Sequence, residues 1–161
     1  MRYDLVVIGS GPAGQKGAIA AAKLGKRVAV IERTASRMGG VCLNTGTIPS
    51  KTMREAILHL TGYRHREIHG DRYRNKRQIS MQDLRGQIAQ VVAHERDVIR
   101  DQLERNGIDV LAGTARFAGP HEIHVENGRD LVRLETDYVL VACGTKPARP
   151  ENLPFDGVHQ P

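Results

Sequence analysis

A chain of 161 residues can form one domain with its own core but is short for an enzyme of several domains. Hydrophobic residues make up 40%, yet no apolar run approaches the roughly 18 residues of a membrane-crossing helix, so no membrane partner is expected. Two cysteines rule out a disulfide scaffold, and MRYDLVVIGSGPAG lacks a secretory pattern; together they point to a cytoplasmic protein of formal net charge +6.

Tyr3 to Ile8 (YDLVVI) is a short apolar, β-branched run, the pattern of a strand buried on both faces. Gly9 ends it, and Pro12 suits the first position of a helix, where its missing N–H costs nothing. Ala13 to Leu24 is alanine-rich and helical, and Gly25 stops it. Arg27 to Ile31 (RVAVI) is a second buried strand, with Glu32 at its end. The resulting β-α-β unit implies a parallel pair with a right-handed crossover.

Residues 33–46 show no periodicity and read as an ordered loop, and Ile48 to Leu60 reads as a helix. Next comes YRHREIHGDRYRNKR, Tyr63 to Arg77, with six Lys/Arg against two acids. It reads first as a solvated loop between helices and second as a docking surface for an anionic partner or a dinucleotide phosphate. No nucleic-acid fold accompanies it, so nucleic acid is not an expected partner. Ser80 to Asn106 is a longer helix, with Ser80 and Asp83 as its start signal and Gly107 as its cap.

Asp109 to Leu111 returns as a strand. Arg116 to Ala118, Glu122 to Val125 and Leu131 to Leu134 are short extended pieces separated by Gly119-Pro120 and Asn127-Gly128, which suits an antiparallel meander. Tyr138 to Ala142 (YVLVA) is another buried strand. Beyond Gly144 stand four of the seven prolines, so residues 146–161 read as a linker.

GSGPAG, Gly9 to Gly14, is a G-x-G-x-x-G between a strand and a helix, with an acid ending the next strand. Gly9 permits the tight turn, Gly11 lets the backbone approach a pyrophosphate, and Gly14 allows close helix–strand packing. The helix N-terminus offers free N–H groups to phosphates. Glu32 accepts hydrogen bonds from a ribose and repels a 2′-phosphate, which favours FAD or NAD.

The segments VVIGSGPAG, IE, GGVCLNTGTIPSK, LAGTARF and YVLVACGTKP, taken together, resemble the N-terminal half of the FAD-dependent pyridine nucleotide-disulfide oxidoreductases. The resemblance covers nearly the whole chain. It implies an α/β fold: a Rossmann-like FAD-binding domain with a parallel sheet and a β-meander crossover, incomplete at its C-terminal end. Residues 1–145 would be the N-terminal part of that domain, and 146–161 the linker toward an NAD(P)-binding domain. By the resemblance, Gly9, Gly11, Pro12, Ala13 and Gly14 meet the FAD pyrophosphate, and Glu32 and Arg33 the adenosine end. Gly39, Gly40, Val41 and Cys42 line the flavin side, and Lys51 places its charge near the flavin ring. Ala115 meets the adenine, and Ala142, Cys143 and Gly144 replace a segment usually written ATG. Cys143 is expected as a buried small hydrophobe. No metal site is expected.

Disulfide reductases of this family need two cysteines five positions apart, and here Cys42 is followed at that spacing by Thr47. Thr47 forms neither disulfide nor thiolate, but can cap the helix that Pro49 opens. A threonine in GTIPSK resembles the transhydrogenase members, which pass hydride from NADPH to NAD⁺ through FAD without thiols. NADPH and NAD⁺ are then the expected substrates of a parent enzyme, itself expected to be a homo-oligomer, with Lys51 and Thr47 as its catalytic-site residues here. Cys42 becomes either a packing remnant or an incidental oxidation-sensitive thiol. The 161 residues hold no second glycine fingerprint, so the chain alone is expected to have little or no transhydrogenase activity and to bind FAD weakly if at all. Two alternatives stand beside this: a non-catalytic dinucleotide-binding fragment, and a relative of dihydrolipoyl dehydrogenase.

Overall fold

The structure is a computed structural model that describes residues 1–60, 80–146 and 148–150. Strand β1 (Arg2–Ile8) is apolar from Leu5 to Ile8 because it lies inside a sheet, with β2 (Val28–Glu32) on one side and β6 (Asp130–Val141) on the other. The six-stranded order is β3-β2-β1-β6-β5-β4, where β3 is Asp109–Ala112, β4 Thr114–Gly119 and β5 Glu122–Asn127. β1, β2, β3 and the second half of β6 run parallel; β4, β5 and the first half of β6 form an antiparallel meander.

Alternation sorts the side chains of the parallel strands onto two faces. Val6, Ala29 and Ile31 meet Ile123, Val125 and Leu134, so the meander curls over one face. Val7, Val28 and Val30 meet Ala18 of α1 (Pro12–Lys23) and Leu103 of α4 (Met81–Arg105) on the other. Parallel sheets need both faces covered, and here meander and helices cover one each. Among the described residues no helix is long and apolar enough to cross a membrane.

The helix ends follow the local signals. Pro12 opens α1, and Gly25 at φ +73° closes it with its N–H on the Ala22 carbonyl at 2.9 Å. Ser80 and Asp83 form a reciprocal capping box at the start of α4. Gly107, at φ +67°, donates to the Glu104 carbonyl at 2.9 Å.

Two expectations change. Residues 33–46 are not irregular throughout: a 3₁₀ turn (Ala35–Arg37) and a short helix α2 (Gly40–Asn44) precede α3 (Thr47–Leu60). Neither is long enough to show a helical period. The expected strands 131–134 and 138–142 are one strand, β6, which ends at Val141, since no glycine or proline interrupts residues 135–137. The alternation slips by one within β6: Val132 and Leu134 face the meander core, and then so does Val139. Buried Thr136 lies at this slip and donates its hydroxyl to the Tyr138 carbonyl at 2.8 Å. The basic stretch 63–77 and most of the proline-rich 146–161 fall outside the described residues.

Candidate functional site

The parallel strands end at a common edge, and the glycine turn and its partners gather there, where open α/β sheets place their ligands. Gly9 follows β1 at φ +107° and donates its N–H to the Ile31 carbonyl at 2.8 Å. A Cβ on Gly9 would overlap the Ala142 carbonyl oxygen, just past β6. A Cβ on Gly14 would overlap the Gly9 carbonyl oxygen, with Val7 Cγ1 at 3.3 Å behind it. These two glycines are required by the fold itself. Gly11 differs: nothing lies within 4 Å of the Cβ it lacks. It is the N-cap of α1 with no side-chain cap, so the first N–H groups of a twelve-residue helix open onto that free space.

Glu32, half-buried at the end of β2, is held by three donors. Its Oε2 accepts from Ser10 Oγ at 2.5 Å and from Ser10 N–H at 3.1 Å; its Oε1 accepts from Thr34 N–H at 3.1 Å. The Ser10 carbonyl accepts from Gln15 Nε2 at 2.7 Å, which braces the turn against α1.

The Gly39–Gly40 pair approaches the same turn. Gly39 N–H donates to Ser10 Oγ at 3.2 Å, and a Cβ on Gly40 would stand 3.0 Å from Gly11 Cα. Both have positive φ, +91° and +63°. Asn44 secures the loop: its Nδ2 lies within 2.8–3.1 Å of the carbonyls of Arg37, Met38 and Gly40. Its Oδ1 accepts from Arg96 of α4 at 3.3 Å.

A cleft of about 370 Å³ opens beside the turn, lined by Ile8, Gly9, Ile31, Glu32, Arg33, Gly113, Thr114, Ala115, Cys143 and Lys146. That volume is in the range of small-molecule sites. Gly113 N–H donates to the Glu32 carbonyl at 3.0 Å, joining the β3–β4 turn to the same wall. Arg33 and Lys146 add positive charge at its mouth. The donor set fits a dinucleotide on three counts: free N–H groups and an open glycine for a pyrophosphate, and a carboxylate for a ribose. A larger, more open cleft of about 490 Å³ lies between Arg2, the Gly119–Glu122 turn and Glu135–Asp137. It has neither the G-x-G-x-x-G turn nor a helix N-terminus, so volume alone does not mark the site. Among the described residues no group of three or more His, Cys, Asp or Glu side chains could hold a metal ion.

Of the residues singled out from sequence, Gly9, Glu32, Arg33, Ala115 and Cys143 line the cleft together. Gly11, Gly39 and Gly40 adjoin it through direct contacts, and Ala142 packs its backbone on Gly9. Pro12 and Ala13 form the exposed first turn of α1, and Gly144 is exposed at φ +70°. Val41 is exposed and Cys42 half-buried on α2, whereas Lys51 is exposed on α3 and is not part of the cleft wall.

Two placements differ from expectation. Cys143 is exposed, with Sγ 3.8 Å from the Ile8 carbonyl, because β6 ends at Val141 and position 143 lies beyond the covering layers. Thr47 is the exposed first residue of α3, inside the helix rather than its cap, so its hydroxyl is not in capping position. Ser10, Gln15, Asn44, Thr114 and Lys146 also belong to this site or brace it, and the sequence pattern does not mark them. Ser10 carried a usable signal: a hydroxyl inside the fingerprint, with an acid at the end of the next strand.

Residues 3–160 match the family described as pyridine nucleotide-disulphide oxidoreductase. The chain is 53% identical to a soluble pyridine nucleotide transhydrogenase of Mycobacterium bovis (strain BCG / Pasteur 1173P2), aligning over 96% of this chain and 33% of that protein. A soluble pyridine nucleotide transhydrogenase of Salmonella gallinarum (strain 287/91 / NCTC 13346) is 36% identical, over 95% and 33%. Among solved structures, the Cu(II) complex of the HOCl-induced flavoprotein disulfide reductase RclA from Escherichia coli superposes with a TM-score of 0.75 at 27% identity. That superposition covers 94% of this chain and 30% of the other. The chain thus spans about a third of the length of these relatives. With residues 3–160 matched, the chain belongs to the pyridine nucleotide-disulphide oxidoreductase family.

Proposed function

We propose that residues 1–145 form the N-terminal part of an FAD-binding domain, with 146–161 leading toward an NAD(P)-binding domain, in a flavoprotein that passes hydride from NADPH to NAD⁺. The observation that carries the reading is the open face of Gly11 beside the Glu32 carboxylate, at the free N-terminus of α1. FAD, when bound, supplies the chemistry by accepting hydride from one nicotinamide nucleotide and releasing it to another. The chain's residues bind and orient. The N–H groups at the start of α1 and the backbone at Gly11 hold the pyrophosphate, joined by Pro12 and Ala13 in the first turn. Glu32 takes a ribose hydroxyl, while Arg33 and Ala115 flank the adenosine. Gly39, Gly40, Val41 and Cys42 form the wall toward the flavin, and Lys51 lends positive charge that favours the reduced ring. Ala142, Cys143 and Gly144 close the wall on the β6 side.

Thr47 supports the transhydrogenase reading over disulfide reduction. Thiol–disulfide exchange at Cys42 requires a second thiol in the loop, and the one other cysteine of the 161 residues, Cys143, lies past the end of β6 and outside that loop. The relatives named transhydrogenases at 53% and 36% identity agree with that preference.

The test is a fluorescence titration of the purified chain with FAD and with FMN, which lacks the adenylate. Saturable binding of FAD with none of FMN is expected; absence of FAD binding, or equal binding of FMN, refutes the assignment. In a longer polypeptide carrying these residues, NADPH-dependent reduction of an NAD⁺ analogue should survive Cys42→Ala. Loss of turnover in that variant would return the case to thiol chemistry.

A further inference from the structure

We infer that Ser10 is a positioning residue that acts through Glu32, fixing its carboxylate so that one acceptor position on Oε1 is left for the adenosine ribose. The inference rests on the FAD reading above and deepens it. Ser10 is fully buried and occupies a variable position of the glycine fingerprint, whose phosphate-binding role does not use a side chain there. A buried hydroxyl needs partners. Its Oγ donates to Glu32 Oε2 at 2.5 Å, the short end for a charge-assisted O–H···O⁻ bond. A hydroxyl has one proton, so with that proton spent on Glu32 the 3.2 Å contact to Gly39 has Oγ as acceptor, matching the Gly39 N–H.

The carboxylate can then be counted. An ionised carboxylate has about four acceptor positions. Ser10 fills two on Oε2 through its N–H and Oγ, and Thr34 N–H fills one on Oε1. The remaining position is on Oε1. Without the Ser10 hydroxyl, the carboxylate keeps one backbone N–H on each oxygen, Ser10 N–H on Oε2 and Thr34 N–H on Oε1, and loses the shortest of its three bonds. The ribose would then meet a less firmly held acceptor. Ser10 also links the end of β2 to Gly39, so one side chain sets the adenosine wall and the loop proposed to face the flavin in the same register.

The test is a double-mutant cycle in FAD affinity on the 161-residue chain, with Ser10→Ala, Glu32→Ala and the double variant. Each is measured against FAD and an FAD analogue whose adenosine is 2′,3′-dideoxy. Ser10→Ala should weaken FAD by about tenfold or more, as loss of an ordered charge-assisted bond does. The double variant should bind no more weakly than Glu32→Ala alone, because Ser10 acts through Glu32. Ser10→Ala should also erase most of the preference for FAD over the dideoxy analogue. Ser10→Cys, close in size but a weak donor, provides the same readout if Ser10→Ala does not fold. Additive losses, or equal losses for FAD and the analogue, would reduce Ser10 to a packing role and overturn the inference. Unchanged affinity in a Ser10 variant would overturn it and leave the FAD reading standing. Failure of the unaltered chain to take up FAD would overturn both.

Discussion

Replacing Gly14 by alanine drives a methyl group into the Gly9 carbonyl oxygen, with Val7 Cγ1 only 3.3 Å away. Backbone at a positive-φ turn cannot swing aside as a flexible side chain does, and Gly9 is itself pinned by the 2.8 Å bond to Ile31. Overpacking costs typically about 1–3 kcal/mol, and this clash belongs at the upper end, near 3 kcal/mol. For a chain of this size each kcal/mol lowers the melting temperature by roughly 2–4 °C, so a fall of about 6–12 °C is expected. Gly11→Ala is the control. Its φ of −68° and ψ of 177° suit alanine, and its added methyl group meets nothing within 4 Å. The gain from a stiffer unfolded chain, about 0.4–1 kcal/mol, is offset by alanine's poorer N-capping. The melting temperature should therefore move by no more than about 2–4 °C, as a net change within about 1 kcal/mol implies. Flavin titration should reverse the order, with Gly11→Ala losing FAD affinity while folded. Circular dichroism melts with parallel FAD titrations decide it. If Gly11→Ala melts as low as Gly14→Ala, or binds FAD as the parent does, the division of labour among the glycines is wrong.

Asn44→Ala removes the amide shared among the Arg37, Met38 and Gly40 carbonyls; a loss of about 1–3 kcal/mol and faster proteolysis at residues 37–40 are expected, and an unchanged cleavage pattern would refute the clamp. Tyr3 is buried and donates to Asp109 Oδ2 at 2.8 Å, and burial first, then Asp109, holds its phenol above the usual value near 10. The stability from its neutral form is full below pH 10 and lost as pH rises through the raised value, so Tyr3→Phe should flatten the alkaline fall in chemical-denaturation stability. A steep fall persisting in the variant would assign it elsewhere. Lys51→Met should lower the midpoint potential of bound flavin in spectroelectrochemical titration and leave the melting temperature unchanged, since the side chain is exposed; an unmoved potential would place Lys51 away from the ring.

The β1–α1–β2 unit was readable in the sequence because each of its boundaries is marked by a residue with a backbone reason: Gly9, Pro12, Gly25. The same holds for α4, whose capping box and Gly107 are local. Glu32 and the fingerprint glycines were legible because their spacing reflects a close approach of backbone to ligand. Ser10 was not, since its role depends on a carboxylate 22 positions away, brought near only by the parallel pairing. Helix α2 escaped because five residues are too few for a period, and its stability rests on Asn44 bonding back to the preceding turn. The alternation of β6 slips near Thr136, and in a one-dimensional pattern that slip looks like a break between two strands. Cys143 is exposed because a position beyond a strand end has no layer to cover it, and composition alone does not show where the layers stop.

The pairing of β1 with β6 also sets an order in time. Leu5 lies beside Val28 on one side and Tyr138 on the other, so one edge of β1 finds its neighbour early in synthesis and the other waits for almost the whole described chain. At roughly 5–20 residues per second, that wait lasts several seconds or longer on the ribosome. Throughout it, an apolar strand carries an open edge of unpaired N–H and C=O groups, the form most prone to pair with another chain. The strand at the middle of the finished sheet is the first one made and among the last to be closed on both sides, and the hazard it poses belongs to the nascent chain.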